Sequence, residues 1–240
     1  MNEAQSARWS RALVAALASA LLAACAPARS PGSPEAYDHQ TCVENALRNK
    51  PDPALLAEAA VELGQGCRFT DTASCSMLGV MYELGRGVPL DVRRARSLYQ
   101  QSCDGGNARA CGNLGALVLR EPSLGAPERA LELLRSACDA VDARACATLG
   151  AAHLEGGAAP ASPAEARRLL ELACDRGEPS GCVALARVLA RSGDEARADA
   201  LLARACARGH AEGCALFDER SRRIRERREP AAIAGMRSAP

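Results

Sequence analysis

A chain of 240 residues that is 48% hydrophobic but 2% aromatic must build its buried surface from Ala, Leu, Val and Cys, and it offers few aromatic platforms for stacking sugars or bases. Its net charge of +1 supplies no global field to steer it to nucleic acid or to a membrane. Twelve cysteines read as a disulfide framework and so require an oxidising compartment.

Residues 1–11 hold Arg8 and Arg11, and Ala12 to Ala24 is an apolar run of 13 residues. That is too short to span a bilayer and right for the core of a signal peptide. The run ends Leu22-Ala23-Ala24-Cys25, which resembles the lipobox of bacterial lipoproteins. The resemblance implies a signal peptide over residues 1–24, a lipid on the Cys25 thiol and, with Ala26 in place of Asp, sorting to the outer membrane. Residues 25–40, with Pro27, Pro31, Gly32 and Pro34, predict a flexible tether. From Ala26 to Gln40 it reaches at most ~50 Å.

The remainder is organised by a cysteine ladder. Cys67 and Cys75, Cys103 and Cys111, Cys138 and Cys146, Cys174 and Cys182, and Cys206 and Cys214 are five pairs with the same separation of eight. Successive pairs begin 36, 35, 36 and 32 residues apart, a period that belongs to two-helix solenoid repeats. Zinc sites favour pairs two to four residues apart, so the spacing argues against metal. By the same period Cys42 is the second cysteine of a pair whose first position is Pro34. If Cys25 is lipidated, Cys42 is a free thiol or is bonded to another chain; if not, the two can bridge across the tether.

Each unit then repeats a helical pattern. At +3, +4 and +7 after the second cysteine stand Leu78, Gly79, Tyr82; Leu114, Gly115, Val118; Leu149, Gly150, His153; and Leu185, Ala186, Leu189. This spacing marks the buried face of a first helix. At −8, −5 and −4 before the first cysteine stand Ala95, Leu98, Tyr99; Ala130, Leu133, Leu134; Ala166, Leu169, Leu170; and Ala198, Leu201, Leu202, the matching face of a second helix. Gly at +4 admits close approach of the neighbouring helix. Asp71, Asn107 and Asp142 are N-caps for first helices, and Gly106, Gly177 and Gly209 close second helices. Ser162-Pro163-Ala164-Glu165 reads as a capping box. The interval of 32 follows from a shorter turn at Ser192-Gly193.

After Cys214 the stripe positions are Phe217, Asp218 and Ser221, so the last helix keeps one wet face, as a terminal cap must. Arg220, Arg222, Arg223, Arg225, Arg227 and Arg228 follow, read as a solvated helix end, and residues 229–240 are expected to form a disordered tail.

The stretch from Ala73 through Leu78-Gly79, Tyr82 and Gly85-Arg86-Gly87-Val88 to Ala95 and Leu98-Tyr99 resembles the Sel-one-like repeat, a relative of the tetratricopeptide repeat. With its added cysteine pair the chain resembles the secreted cysteine-rich Sel-like family. The resemblance implies, for residues 41–228, an all-α, α/α superhelical solenoid of two-helix repeats whose concave face binds a protein or peptide. Five local bridges between adjacent helices are the simplest cysteine connectivity. Some family members carry a β-lactamase or penicillin-binding label. A serine enzyme of that kind needs Ser followed three residues later by Lys, but the one lysine is Lys50 and position 47 is Leu. A zinc enzyme needs clustered histidines, and His39, His153 and His210 are scattered. The sequence therefore predicts a non-enzymatic, lipid-anchored scaffold for an envelope or cell-surface protein. Binding or hydrolysis of β-lactams or peptidoglycan peptides is the alternative. No catalytic residue, cofactor or metal is expected.

Overall fold

The computed structural model describes residues 53–237, so the expected signal peptide and tether, with Cys25 and Cys42, lie outside the described residues. The described residues form ten α-helices and one 3-10 turn, with no strand. The chain divides into two compact units, Met1–Leu114 and Gly115–Pro240.

In the first unit α1 (Pro53–Arg68) is followed by α2 (Thr72–Leu84), α3 (Val92–Asp104) and the start of α4 (Ala108–Arg120). The second unit holds the end of α4, the 3-10 turn Pro122–Leu124, α5 (Pro127–Asp139), α6 (Ala143–Glu155), α7 (Pro163–Asp175), α8 (Pro179–Arg191), α9 (Glu195–Ala207) and α10 (Ala211–Arg237). Even-numbered helices are the first helices of repeats and odd-numbered ones the second. The result is a helical solenoid stapled by disulfides, as the period of the cysteines predicts.

The stripes are the core. All the predicted stripe residues of α2 to α9 are buried except Tyr82, Leu98 and Leu201, which are half-buried. Ala95, Tyr99, Leu134, Ala166, Leu170 and Ala198 are wholly withdrawn from solvent. The glycines at +4 are there because the second helix of the same repeat lies directly on them. A Cβ on Gly79 would sit 2.6 Å from Cε1 of Tyr99, and one on Gly150 would sit 2.9 Å from Cγ of Leu170. Ala186 holds this place in α8, where the core of α7, α8 and α9 closes around it.

Each helix start answers its orphan amides. Asp71 accepts from the Ala73 amide, Asn107 from that of Ala110 at 3.2 Å, and Asp142 from that of Ala145 at 2.7 Å. Ser162 caps α7 through the Glu165 amide at 3.4 Å, but the reciprocal half of the predicted capping box is not made. The Glu165 carboxylate instead takes two hydrogen bonds from Arg168, of 2.9 and 2.6 Å, and Ser162 sends its own amide to the carbonyl of His153. A charge-assisted fork outbids a single bond to a backbone amide.

The turns after second helices use a left-handed residue: Gly106, Gly177 and Gly209 as expected, with φ of 88°, 91° and 78°. Thr70 and Val141 occupy the same register with φ of 64° and 73°, a conformation that side chains with a branched Cβ adopt only under strain. The turn between α8 and α9 is Ser192, Gly193 and Asp194 alone, which accounts for the shortened interval.

At the C-terminal end the wet face is partly dry. Phe217 and Leu216 pack against the core of α7, α8 and α9, while Asp218 is exposed where other repeats place a close-packed glycine or alanine. Arg220 is not a solvated residue. Its guanidinium binds Asp199 and Glu195 of α9, and these hydrogen bonds, that to Asp199 foremost, raise its affinity for its proton. Helix α10 extends to Arg237, past Pro230, so its backbone takes in residues that the sequence assigns to the tail.

Candidate binding face

The ladder sets the geometry of everything exposed. All five predicted bridges are formed, with Cα–Cα distances between 4.4 and 4.7 Å. Each ties the last turn of a second helix to the first turn of the next first helix. These ten cysteines are therefore structural.

A second set of contacts, which the sequence reading missed, runs along the same edge. Arg176 donates from Nη1 to the carbonyl of Cys138 at 2.8 Å, Arg204 from Nη2 to that of Cys174 at 2.8 Å, and Arg208 from Nη1 to that of Gly177 at 2.6 Å. Gln101 does the same for Cys67 with Nε2 at 3.4 Å. Cations at helix C-termini answer both the orphan carbonyls and the negative end of the helix dipole. Their signal in the sequence was faint: an arginine two residues before or after the first cysteine in the last repeats. Glu178 and His210 were legible from register alone, since each stands four residues before a second cysteine. Glu178 caps α8 through the Ser180 amide at 3.2 Å, and the Gly213 amide donates to His210 Nδ1 at 3.1 Å.

With second helices behind them, the first helices α6, α8 and α10 of the second unit lie side by side. The flank they leave uncovered carries half-buried Thr148 and Ala151 on α6, and Ala184 and Val188 on α8, the latter two also touching the core of α7, α8 and α9. Small side chains make that floor shallow. Ion pairs join adjacent first helices across it: Arg187 with Glu212, and Arg144 Nε with Glu178 Oε2 at 3.9 Å. Such a surface offers a few small apolar side chains and two ion pairs.

The polar groups near it are committed to the backbone. Thr148 Oγ1 donates to the Arg144 carbonyl at 3.0 Å. His153 is buried, as its place in the stripe predicts, and Nδ1 lies 2.9 Å from the Pro160 carbonyl, so that nitrogen carries the proton and donates. Glu165, held below the usual carboxylate range by the hydrogen bonds from Arg168, sits on a second helix away from the face. Among the described residues no three His, Cys, Asp or Glu side chains converge as a metal site.

Residues 72–107, 108–142 and 143–178 each match the Sel1 repeat. The chain carries three consecutive Sel1 repeats. Each matched segment is one first helix with the second helix that follows it, namely α2 with α3, α4 with α5 and α6 with α7. The pair α8 and α9, with its three-residue turn, lies outside the matched residues. Among solved structures, a Sel1 repeat protein from Oxalobacter formigenes is similar over 75% of this chain and 78% of its own, at 17% identity and a TM-score of 0.57. A protective antigen present in uropathogenic Escherichia coli strains, displaying an SLR fold, is similar over 87% of this chain at 16% identity and a TM-score of 0.51. This chain spans about half, 49%, of that antigen. No curated protein matches the chain. The Sel1-like fold supports a scaffold for protein–protein interaction, and a protein is the general class of partner.

Proposed function

We propose that this Sel1-like protein is an envelope lipoprotein, anchored through Cys25, that presents the first-helix face of its repeats to another envelope or cell-surface protein. The observation that carries the reading is the coincidence of two independent signals: Leu22-Ala23-Ala24-Cys25 at the end of a 13-residue apolar run, and five disulfides that persist only outside a reducing cytoplasm. An uncovered flank of small side chains with the exposed Arg187–Glu212 ion pair supports docking of a polypeptide rather than enclosure of a small molecule, which calls for a deep and mostly apolar pocket.

Intact mass of the protein from a membrane fraction, alkylated before and after reduction, tests the anchor and the ladder together. The expected species starts at Cys25, carries lipid, and gains ten alkylatable thiols on reduction. An unlipidated chain with its thiols already free overturns the reading. Crosslinking in intact cells through a photoreactive residue placed at Ala184 tests the face. It is expected to capture an envelope protein, and loss of the adduct in Arg187→Glu would tie the capture to this surface.

A further inference from the structure

The last helix carries a feature that neither the repeat nor the binding face uses. Residues 220–228 hold six arginines against the single glutamate Glu226, a local charge of +5 in a chain whose total is +1, so that the rest of the chain sums to −4. Such asymmetry within one chain points to an anionic partner. Beyond Arg223, α10 has no counterpart in the earlier first helices. It is 27 residues long where α2, α4, α6 and α8 have 13, and the extra length amounts to about 21 Å of helix.

The base of this extension is fixed. Arg220 is clamped to Asp199 and Glu195 of α9, and Leu216 and Phe217 are seated on the core, so the residues that follow are presented by an anchored helix. Directly after the clamp, Arg222 and Arg225 are exposed, and between them Ile224 leaves 41% of its surface in water. Arg223 is also exposed and pairs with Glu219, a surface contact weak enough to exchange for a better anion. Cations around an exposed branched aliphatic side chain suit a bilayer interface, where guanidinium groups meet phosphates and an apolar side chain enters the headgroup boundary.

We propose that the segment Arg222–Arg225 of α10 docks on the surface of a bilayer containing anionic phospholipid. This inference rests on the proposed function for the nearness of a bilayer, but it requires no lipid on the protein itself. A lipid-anchored chain held also by α10 would lie with its C-terminal repeats against the membrane.

The test uses the full chain with Cys25→Ser, which cannot be lipidated, so that its failure is separate from failure of the anchor. The chain is mixed with vesicles of phosphatidylcholine, with and without phosphatidylglycerol. Expected are stronger partition to the anionic vesicles, loss of that preference as salt rises, and about a 100-fold weaker partition for Arg222→Gln/Arg223→Gln/Arg225→Gln, from roughly fivefold per arginine. A control, Arg93→Gln/Arg96→Gln/Arg135→Gln, removes the same charge from α3 and α5 and is expected to change partition little. Equal partition to both vesicles overturns the inference, as does equal loss in the two triple variants. Capture by duplex DNA with no vesicle binding overturns it too.

Discussion

Arg176 Nη1 lies 2.8 Å from the carbonyl oxygen of Cys138 and 3.3 Å from Cys146 Sγ, so one guanidinium from the end of α7 seals the end of α5 and touches the bridge that follows it. In a solenoid, stability is a sum of repeat terms and nearest-neighbour terms. This contact is a neighbour term, because it joins the second helices of consecutive repeats. Arg176→Met keeps the aliphatic stem and removes the donor. It is expected to cost about 1–2 kcal/mol in urea unfolding, since a charged donor is lost and a carbonyl is left to water. Arg204→Met, acting one repeat later on the Cys174 carbonyl, is expected to cost a similar amount, and the two should add. A double variant no worse than either single one would show that the contacts are not independent neighbour terms.

Val141 is expected to be a liability. It holds φ of 73° with 66% of its surface exposed, so it bears the strain of a left-handed residue and gains little burial in return. The equivalent residues Gly106, Gly177 and Gly209 bear none. Val141→Gly relieves about 1–2 kcal/mol of strain and gives back part of that through the freer unfolded chain, for a net gain of about 0.5–1 kcal/mol. A rise in the thermal midpoint checks it, and a fall would mean that Val141 makes a stabilising contact.

How much of this was legible depends on which residues repeat. The cysteine period fixes register, and register places every stripe, which is why Leu134, Leu170 and Tyr99 were readable as core without a structure. Turns were readable where glycine marks them and not at Thr70 or Val141, where the backbone conformation is imposed by the flanking helices against the preference of the residue. The capping box failed for a related reason: Ser162 followed by Glu165 states what the backbone needs, but not that Arg168, one turn on, competes for the carboxylate. The binding face was the least legible part. The Arg187–Glu212 pair joins residues 25 apart on neighbouring first helices, and no local spacing announces it. Arg220 was hidden in the same way within a run of arginines that looks uniform in the sequence, and its partners Asp199 and Glu195 sort it from the others.

Two glycine substitutions of the same chemistry are expected to have opposite signs. At Gly150 a new Cβ would lie 2.9 Å from Leu170 Cγ and 3.2 Å from the Ala166 carbonyl, so helix α7 must move away and its core with it. Gly150→Ala is expected to cost about 1–3 kcal/mol. At Gly64, within α1, the nearest atom to a new Cβ is Leu78 Cδ2 at 4.0 Å, an ordinary contact. Gly64→Ala then gains helix propensity and loses unfolded-state freedom, and is expected to stabilise by about 0.5–1 kcal/mol. Matched urea melts of the two variants decide it. Equal signs would refute the close approach of α6 and α7.

The five bridges close loops of the same length, and on chain entropy alone each is worth about 2.6 kcal/mol. Their surroundings differ. Cys174 and Cys182 are 1% and 0% exposed and belong to the core shared by α7, α8 and α9, whereas Cys206 and Cys214 are half-buried beside α10. Replacing a buried sulfur pair by alanines removes the crosslink and also leaves a gap that the stiff, small-residue core fills poorly, adding about 1–2 kcal/mol. Cys174→Ala/Cys182→Ala is therefore expected to lose about 4 kcal/mol, and Cys206→Ala/Cys214→Ala about 2.5 kcal/mol, the entropic share alone. Urea unfolding of the two variants beside the parent chain measures the difference. Equal losses would assign the whole effect to the unfolded chain, while a larger loss for the outer pair would show that α10 depends on its bridge more than on Arg220 and Phe217. The expected order follows from where the sulfurs sit: Cys174 and Cys182 are both a staple between helices and part of the hydrophobic core those helices enclose, whereas Cys206 and Cys214 are a staple alone.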